Sequence, residues 1–238
     1  MKKSSFGSLS PFLFVFLMTL GSLTKATNTA AQNASARMPN IVVLFVDDLG
    51  YYNMGHRNKE YSTPNIDELA KASLTFTNAY VPSPTCSPSR AALYTGKHPA
   101  RLKFFRHIYN ESGNQEFSLL KEDPAQLPSR NWLPLEETLY SEVLKKNGYN
   151  TLLVGKWHLG GGKYAPTNQG FDKAYTDPDA GHPKGYYPPY FTKNPINEQI
   201  PKDKYLTDFF TDKAVNYLKS YKDNKPFLLQ YSYFNVHT

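Results

Sequence analysis

Residues 40–48 read Asn-Ile-Val-Val-Leu-Phe-Val-Asp-Asp, and the reading of this stretch decides the fold. From Asn40 to Val46 the chain is almost continuously apolar and rich in β-branched residues. It lacks the alternation of a half-exposed strand, so it is expected to be buried on both faces, as a central strand of a parallel sheet. Asp47 and Asp48 follow at its carboxyl end, where ligands of open α/β sheets bind. Adjacent carboxylates there repel and cost desolvation unless a cation neutralises them, and hard divalent cations take such oxygen ligands. A solvated turn or a pair of helix caps would satisfy the same two residues, and the pair alone leaves both readings open.

Working outward, strands are expected to alternate with helices. Thr63-Pro64 opens a helix, with Thr63 as cap and Pro64 in the first turn, and Ile66, Leu69 and Ala70 give it an apolar face. Leu74 to Tyr80 alternates and predicts a second strand. A helix is expected from Ser87-Pro88 to about Thr95, stopped by Gly96. The stretch from Leu102 to Arg130 is irregular. Leu135, Leu139 and Val143 lie four apart on one helix face; Glu136 and Glu137 fall in its first turn and Lys145 and Lys146 in its last, matching the helix dipole. Tyr149 to Gly155 predicts a strand, and Gly160 to Pro201 a loop region rich in Gly, Pro and Tyr. Tyr205 to Tyr221 has a helical pattern, and Pro226 to Phe234 reads as the last strand. The fold class is therefore α/β with a mostly parallel sheet flanked by helices.

Three further places carry chemistry. Cys86-Ser87-Pro88-Ser89-Arg90 precedes a helix, whose free N–H groups and positive dipole favour negative charge. Arg90 can bond a tetrahedral oxyanion with two N–H groups. A protein tyrosine phosphatase also joins Cys and Arg around an anion, but with five residues between them in a glycine-rich loop; three stand here, one of them Pro88. Lys156 and His158 follow a strand two residues apart, and if the strand persists they share one side. An ammonium and an imidazole together can hold an anion and move protons. A nucleotide-binding P-loop is excluded, because Trp157 stands where Ser or Thr is needed. His237 follows the last strand, and taken alone it reads as a surface histidine.

The chain has 238 residues, 40% of them hydrophobic and 15% aromatic, enough for one large domain or two small ones. Its net charge of +7 suits an anionic substrate as well as an ordinary solvated surface. No basic tracts interleaved with aromatics are evident, so nucleic acid is not an expected partner. Residues 1–26 read as a secretory signal peptide: Lys2 and Lys3, an apolar core from Pro11 to Leu20 too short to span a bilayer, then small residues including Ala26. The chain is thus expected to be exported, periplasmic or secreted, without a stable membrane anchor. Residues 27–38 read as a linker and residues 39–238 as the catalytic part. Cys86 is the only cysteine, so no internal disulfide is possible, and a lone thiol in an oxidising compartment hints at use or chemical conversion.

These pieces together resemble the formylglycine-dependent sulfatases of the alkaline-phosphatase-like superfamily. Pro84 to Gly96 (PTCSPSRAALYTG) is similar to their first signature, with its Cys-x-Pro-x-Arg core, and Gly148 to Leu159 (GYNTLLVGKWHL) to their second. Asp47-Asp48 resembles their first metal-ligand pair, and Asn235 to Thr238 the start of their His-x-Pro segment. Order and spacing agree over residues 39–238.

The resemblance implies that a maturation enzyme, reading Cys86, Pro88 and Arg90, converts Cys86 to formylglycine, whose hydrate attacks the sulfur of a sulfate ester. It implies Asp47, Asp48 and residue 86 as ligands of one Ca2+. Arg90 would steady the formylglycine and Lys156 bind sulfate. His158 would take the second proton of the diol, and His237 help the leaving alcohol depart. The implied substrate is a sulfated carbohydrate, and the Tyr- and Pro-rich Gly181 to Tyr190 suggests a sugar-facing loop. Family members continue past His-x-Pro with further metal ligands and a C-terminal subdomain. This chain is therefore expected to be truncated before that subdomain, and to be inactive or poorly folded alone. The competing readings are a phosphonate or phosphodiester hydrolase of the same superfamily and a non-catalytic anion-binding fragment.

Overall fold

The computed structural model describes residues 38–109, 115–119, 127–192, 194, 196–197 and 200–237. The expected signal peptide, all of the linker but Met38, and Thr238 lie outside the described residues. A four-stranded sheet organises the molecule in the order β1 (Ile41–Phe45), β6 (Phe227–Ser232), β4 (Asn150–Gly155) and β5 (Lys173–Tyr175). All three pairings are parallel. A short antiparallel ribbon of β2 (Phe117–Ser118) and β3 (Ser129–Arg130) stands apart from it. The helices are α1 (Pro64–Lys71), α2 (Cys86–Thr95), α3 (Tyr140–Lys146) and α4 (Leu206–Ser220).

Period-two alternation on β4 and β6 sends side chains to two cores. Leu152, Val154, Leu229 and Tyr231 pack with Leu206, Phe209, Phe210 and Ala214 of α4 on one face. Leu153 and Leu228 pack on the other face with Ala91 and Tyr94 of α2, and with Trp157 and Phe171. Every residue of β6 is buried, as are five of the six in β4, the expected signature of parallel strands covered on both sides.

Four expectations are corrected by the structure. β1 is an edge strand, not a central one, and Val42 and Leu44 are about half exposed; Ile41 and Val43 pack against the core on one face, and nothing among the described residues covers the other. Leu74 to Tyr80 forms no strand: no neighbour offers it a ladder, and Leu74 (90%), Phe76 (78%) and Tyr80 (87%) are exposed. α1 forms behind Thr63 and Pro64 but buries none of its residues. α3 begins at Tyr140, not near Leu135, because the Glu142 carboxylate accepts from the Leu139 backbone N–H and fixes the start there. Glu137 instead pairs with Lys97.

The expected helix at Cys86 stands, with Gly96 at its end in the left-handed conformation (φ 67°), where glycine carries no steric penalty. The strand from Asn150 and the helix after Tyr205 form within one residue of their expected bounds, and the last strand within two.

Candidate active site

Backbone bonds continue past the strand ends and hold three chemically loaded segments side by side. Tyr233 N donates to Phe45 O (2.8 Å), Asp47 N to Asn235 O (2.9 Å), Val236 N to Asp47 O (2.7 Å) and Lys156 N to Ser232 O (2.8 Å). The carboxyl edge of β1, β6 and β4 therefore presents Asp47, His237 and Lys156 from one zipped surface. Gly155 makes the last of these bonds possible. Its φ is +93°, and a Cβ there would lie 1.9 Å from Ser232 O, so no larger residue can precede Lys156 in this geometry.

At the centre two cations share one carboxylate. Arg90 Nη2 donates to Asp47 Oδ1 (3.0 Å), and the Lys156 ammonium bonds Asp47 Oδ2. Arg90 also donates from Nη1 to Lys156 O (3.0 Å). Arg90 and Lys156 are fully buried and Asp47 nearly so. Burial pushes the Asp47 carboxyl up, but the charges of Arg90 and Lys156 outweigh it and hold the group below its usual value. Burial, and then Arg90, push the Lys156 ammonium down, with Asp47 and Cys86 opposing. The arrangement holds a buried excess of one positive charge. Cys86, partly buried and free, stands at the first turn of α2 within electrostatic reach of Lys156.

His158 is buried on the same edge, but not by strand alternation. β4 ends at Gly155, and His158 has a φ of +55°, so the expected same-side geometry through a persisting strand does not hold. Its Nε2 lies 3.0 Å from Ile108 O; a carbonyl only accepts, so Nε2 carries the proton. Burial, and then the charge of Lys156, push its pKa down to about 3. The ring is neutral at physiological pH, and Nδ1 is an acceptor with no hydrogen-bond partner among the described residues. A neutral imidazole with one nitrogen anchored and the other free is a proton acceptor.

Asp48 goes elsewhere. It takes a left-handed backbone (φ 55°) and its side chain is half exposed, 3.7 Å from His237 Nε2. The His237 ring stacks on that of His182, and Tyr186 donates to His237 O (2.6 Å). Sequence reasoning missed His107, whose pKa burial pushes down and whose charge couples to Lys156 and His237. Gly181, expected only as the start of a sugar-facing loop, was missed as a neighbour of the imidazole: a Cβ there would lie 2.6 Å from the His158 ring. Both sit in loops far along the chain from the residues they meet, and no local pattern signals them.

Calcium takes six to eight oxygen ligands. The described residues bring two carboxylates, both Asp47 oxygens are already bonded by cations, and no three His, Cys, Asp or Glu side chains converge as a metal group among them. In this arrangement they do not fit the ion.

The carboxyl edge of this parallel α/β sheet brings a helix-start cysteine close to two buried cations, an arrangement able to hold an anion. A family model for sulfatases matches residues 39–238, and the chain belongs to that family. It is 43% identical to human arylsulfatase A over 148 residues, covering 60% of this chain and 26% of that protein. It is 32% identical to human N-acetylgalactosamine-6-sulfatase over 218 residues, covering 82% of this chain and 38% of the relative. The structure of BT4656 in complex with its substrate D-glucosamine-2-N,6-O-disulfate matches at 28% identity and a TM-score of 0.58, over 84% of this chain and 35% of that one. The chain thus spans well under half the length of these relatives. Among the described residues no helix is long and apolar enough to cross a membrane.

Proposed function

We propose that the protein hydrolyses sulfate esters on a sulfated carbohydrate, with residue 86 as nucleophile. The observation that carries this reading is the pair of buried cations, Arg90 and Lys156, sharing the single carboxylate Asp47 beside Cys86. A buried positive excess attracts an anion, and in a water-excluded site it stabilises charge developing on a transferring sulfuryl group. The sugar half of the proposal is supported by the substrate class that the names of N-acetylgalactosamine-6-sulfatase and the BT4656 complex carry.

The reading takes with it conversion of Cys86 to formylglycine, whose hydrate supplies two hydroxyls, one to attack and one to drive release. The start of α2, the free thiol and Arg90 one helical turn on are compatible with that group. The other roles fall to this chain's own side chains. Lys156 binds and orients the sulfate. His158, anchored through Nε2, takes a proton at Nδ1. His237, beside Asp48, gives a proton to the departing alcohol oxygen. Arg90 holds Asp47 and the Lys156 carbonyl in place. Calcium belongs to the reading through the family resemblance, and none of these roles is routed through it. Export to the periplasm or outside the cell, and encounter with a maturation enzyme, complete the proposal.

The test is a panel of aryl and sugar esters, each as sulfate and as phosphate, with the intact mass of residue 86 measured on the same material. Sulfate release from sugar sulfates, by molecules that have lost the Cys86 sulfur, is expected when the chain stands within a protein of its relatives' length; the chain alone is expected to release none. Preference for phosphate or phosphonate esters would move the protein to the neighbouring hydrolase reading. No turnover by material carrying the converted residue would leave an anion-binding module.

A further inference from the structure

The loop from Gly181 to Tyr190 carries two exposed rings to which the proposed chemistry gives no part, and what they do rests on the sulfatase reading above. Gly181 passes over the His158 imidazole, where a Cβ would lie 2.6 Å from the ring. The next residue, His182, is exposed and lays its ring nearly parallel to that of His237, with centroids 5.9 Å apart. Tyr186 then donates to His237 O (2.6 Å) and stacks on Tyr205 (5.7 Å). Tyr187, 60% exposed, leans on Tyr205 as well (5.6 Å). The Tyr205 hydroxyl accepts from Asn235 Nδ2 (3.1 Å). Residues 181–187 thus reach from the proposed proton acceptor to the group proposed to protonate the leaving alcohol.

The loop is firmly tied. Lys184 N donates to Tyr190 O (2.7 Å), Leu206 N to Tyr186 O (2.9 Å), and the fully buried Tyr190 donates from its hydroxyl to Lys204 O (2.5 Å). A fixed backbone presents both rings, which lowers the ordering cost of binding. His182 Nδ1 lies 3.0 Å from Pro183 O; a carbonyl only accepts, so Nδ1 carries the proton and Nε2 of the neutral ring is an acceptor. We infer that His182 and Tyr187 form the subsite for the sugar ring that bears the sulfate: Tyr187 packs on a C–H face of the sugar, and His182 Nε2 accepts from a hydroxyl beside the ester. A sugar offers both surfaces, and sites for such ligands join aromatic walls to a few placed polar groups. Packing of the loop alone does not account for Tyr187, because Tyr186 and Tyr205 stack without it. Recognition of the alcohol half is thereby separated from Lys156, which serves the sulfate half.

Ligand-observed NMR titration tests this without turnover. The probes are N-acetylgalactosamine 6-sulfate and glucosamine 6-sulfate, sugars of the kind the relatives' names carry, and methyl sulfate, an ester with no ring. The wild type should bind at least one sugar ester about tenfold more tightly than methyl sulfate, the worth of a hydrogen bond or a ring contact. Tyr187→Ala and His182→Phe should each lose most of that preference. His182→Phe keeps a ring stacked on His237 and removes only the acceptor, so it separates recognition from packing. Preference retained by a variant would overturn that residue's part, and equal loss for all three esters would overturn the subsite in favour of a role in folding. Methyl sulfate bound as tightly as the sugar esters by the wild type would overturn the subsite while the sulfatase reading stands; none of the three bound would overturn both. Saturation of tyrosine ring protons in the wild type should pass to the sugar C–H protons, an arm that stands even if a variant fails to fold. A bound sugar ester that receives none would overturn the Tyr187 contact.

Discussion

Two regions of this chain invert the usual rule of burial. At the carboxyl edge of β4 and β6, Lys156, Arg90, Asp47 and His158 are charged or polar and nearly inaccessible to water. From β1 to residue 81, Val42, Leu44, Leu69, Leu74, Phe76 and Tyr80 are apolar and face solvent. The difference is not in the residues but in their partners. The buried groups bond one another and the backbone around them, with Arg90 Nε and His158 Nδ1 left unpartnered among the described residues; the exposed apolar side chains meet no second surface among the described residues. Hydrophobicity supplies a tendency to bury, and neighbours decide whether it is met.

The sharpest way to break this comparison is to remove the shared carboxylate. Asp47→Asn leaves Arg90 and Lys156 buried without a counter-charge. It should lower unfolding stability by about 3–5 kcal/mol, measured by urea titration. A loss under about 1 kcal/mol would mean the cluster is solvated and its burial incidental. Gly155→Ala should cost about 3 kcal/mol, because the strained φ and the clash with Ser232 O act together. The same titration reads it.

Gly181→Ala should leave the fold standing and push the His158 ring aside. A drop in kcat of about 100-fold with little change in KM is expected. A parallel rise in KM would place Gly181 in binding instead.

The buried histidine also predicts an acid dependence. His158 titrates near 6.5 when unfolded and near 3 when folded. Between those values the unfolded chain binds more protons, so stability falls as pH drops from 6.5 toward 3, by up to about 1.4 kcal/mol per pH unit from this group. Above 6.5 the group contributes no slope. Asp47, held below its usual value, adds loss in the same direction at the acid end. Urea midpoints across this range should show the slope, and His158→Gln should flatten it. The smallest effect lies in the other region: Phe76→Ser should change stability by no more than about 0.5 kcal/mol, and a larger loss would show that a surface covers this segment.

Much of this was legible in the sequence. The buried runs at Leu152–Val154 and Phe227–Tyr231, the Gly96 stop and the helix from Leu206 carry strong local patterns, and they formed. Lys173 to Tyr175 is too short to show a period, so β5 escaped notice; its pairing with β4 defines it. Leu74 to Tyr80 shows the right alternation, yet a strand needs a neighbour, which no local pattern supplies. Within the site, Asp47, Cys86, Arg90, Lys156, His158 and His237 were singled out by type and place. Their mutual geometry was not visible. That Lys156 reaches Asp47, 109 residues earlier, depends on β6 standing between β1 and β4, with Arg90 arriving from α2, and the anchoring of His158 on Ile108 O depends on a loop 50 residues earlier.

In the proposed sulfate ester cleavage, residue 86 supplies the attacking oxygen. The most direct measurement is sulfate release from a sugar sulfate by matured protein of the relatives' length and by its Cys86→Ala variant, with folding of both checked by a cooperative urea transition. The account predicts that release falls to the uncatalysed background in the variant while the fold is retained. Release at an undiminished rate by a folded Cys86→Ala protein would contradict it.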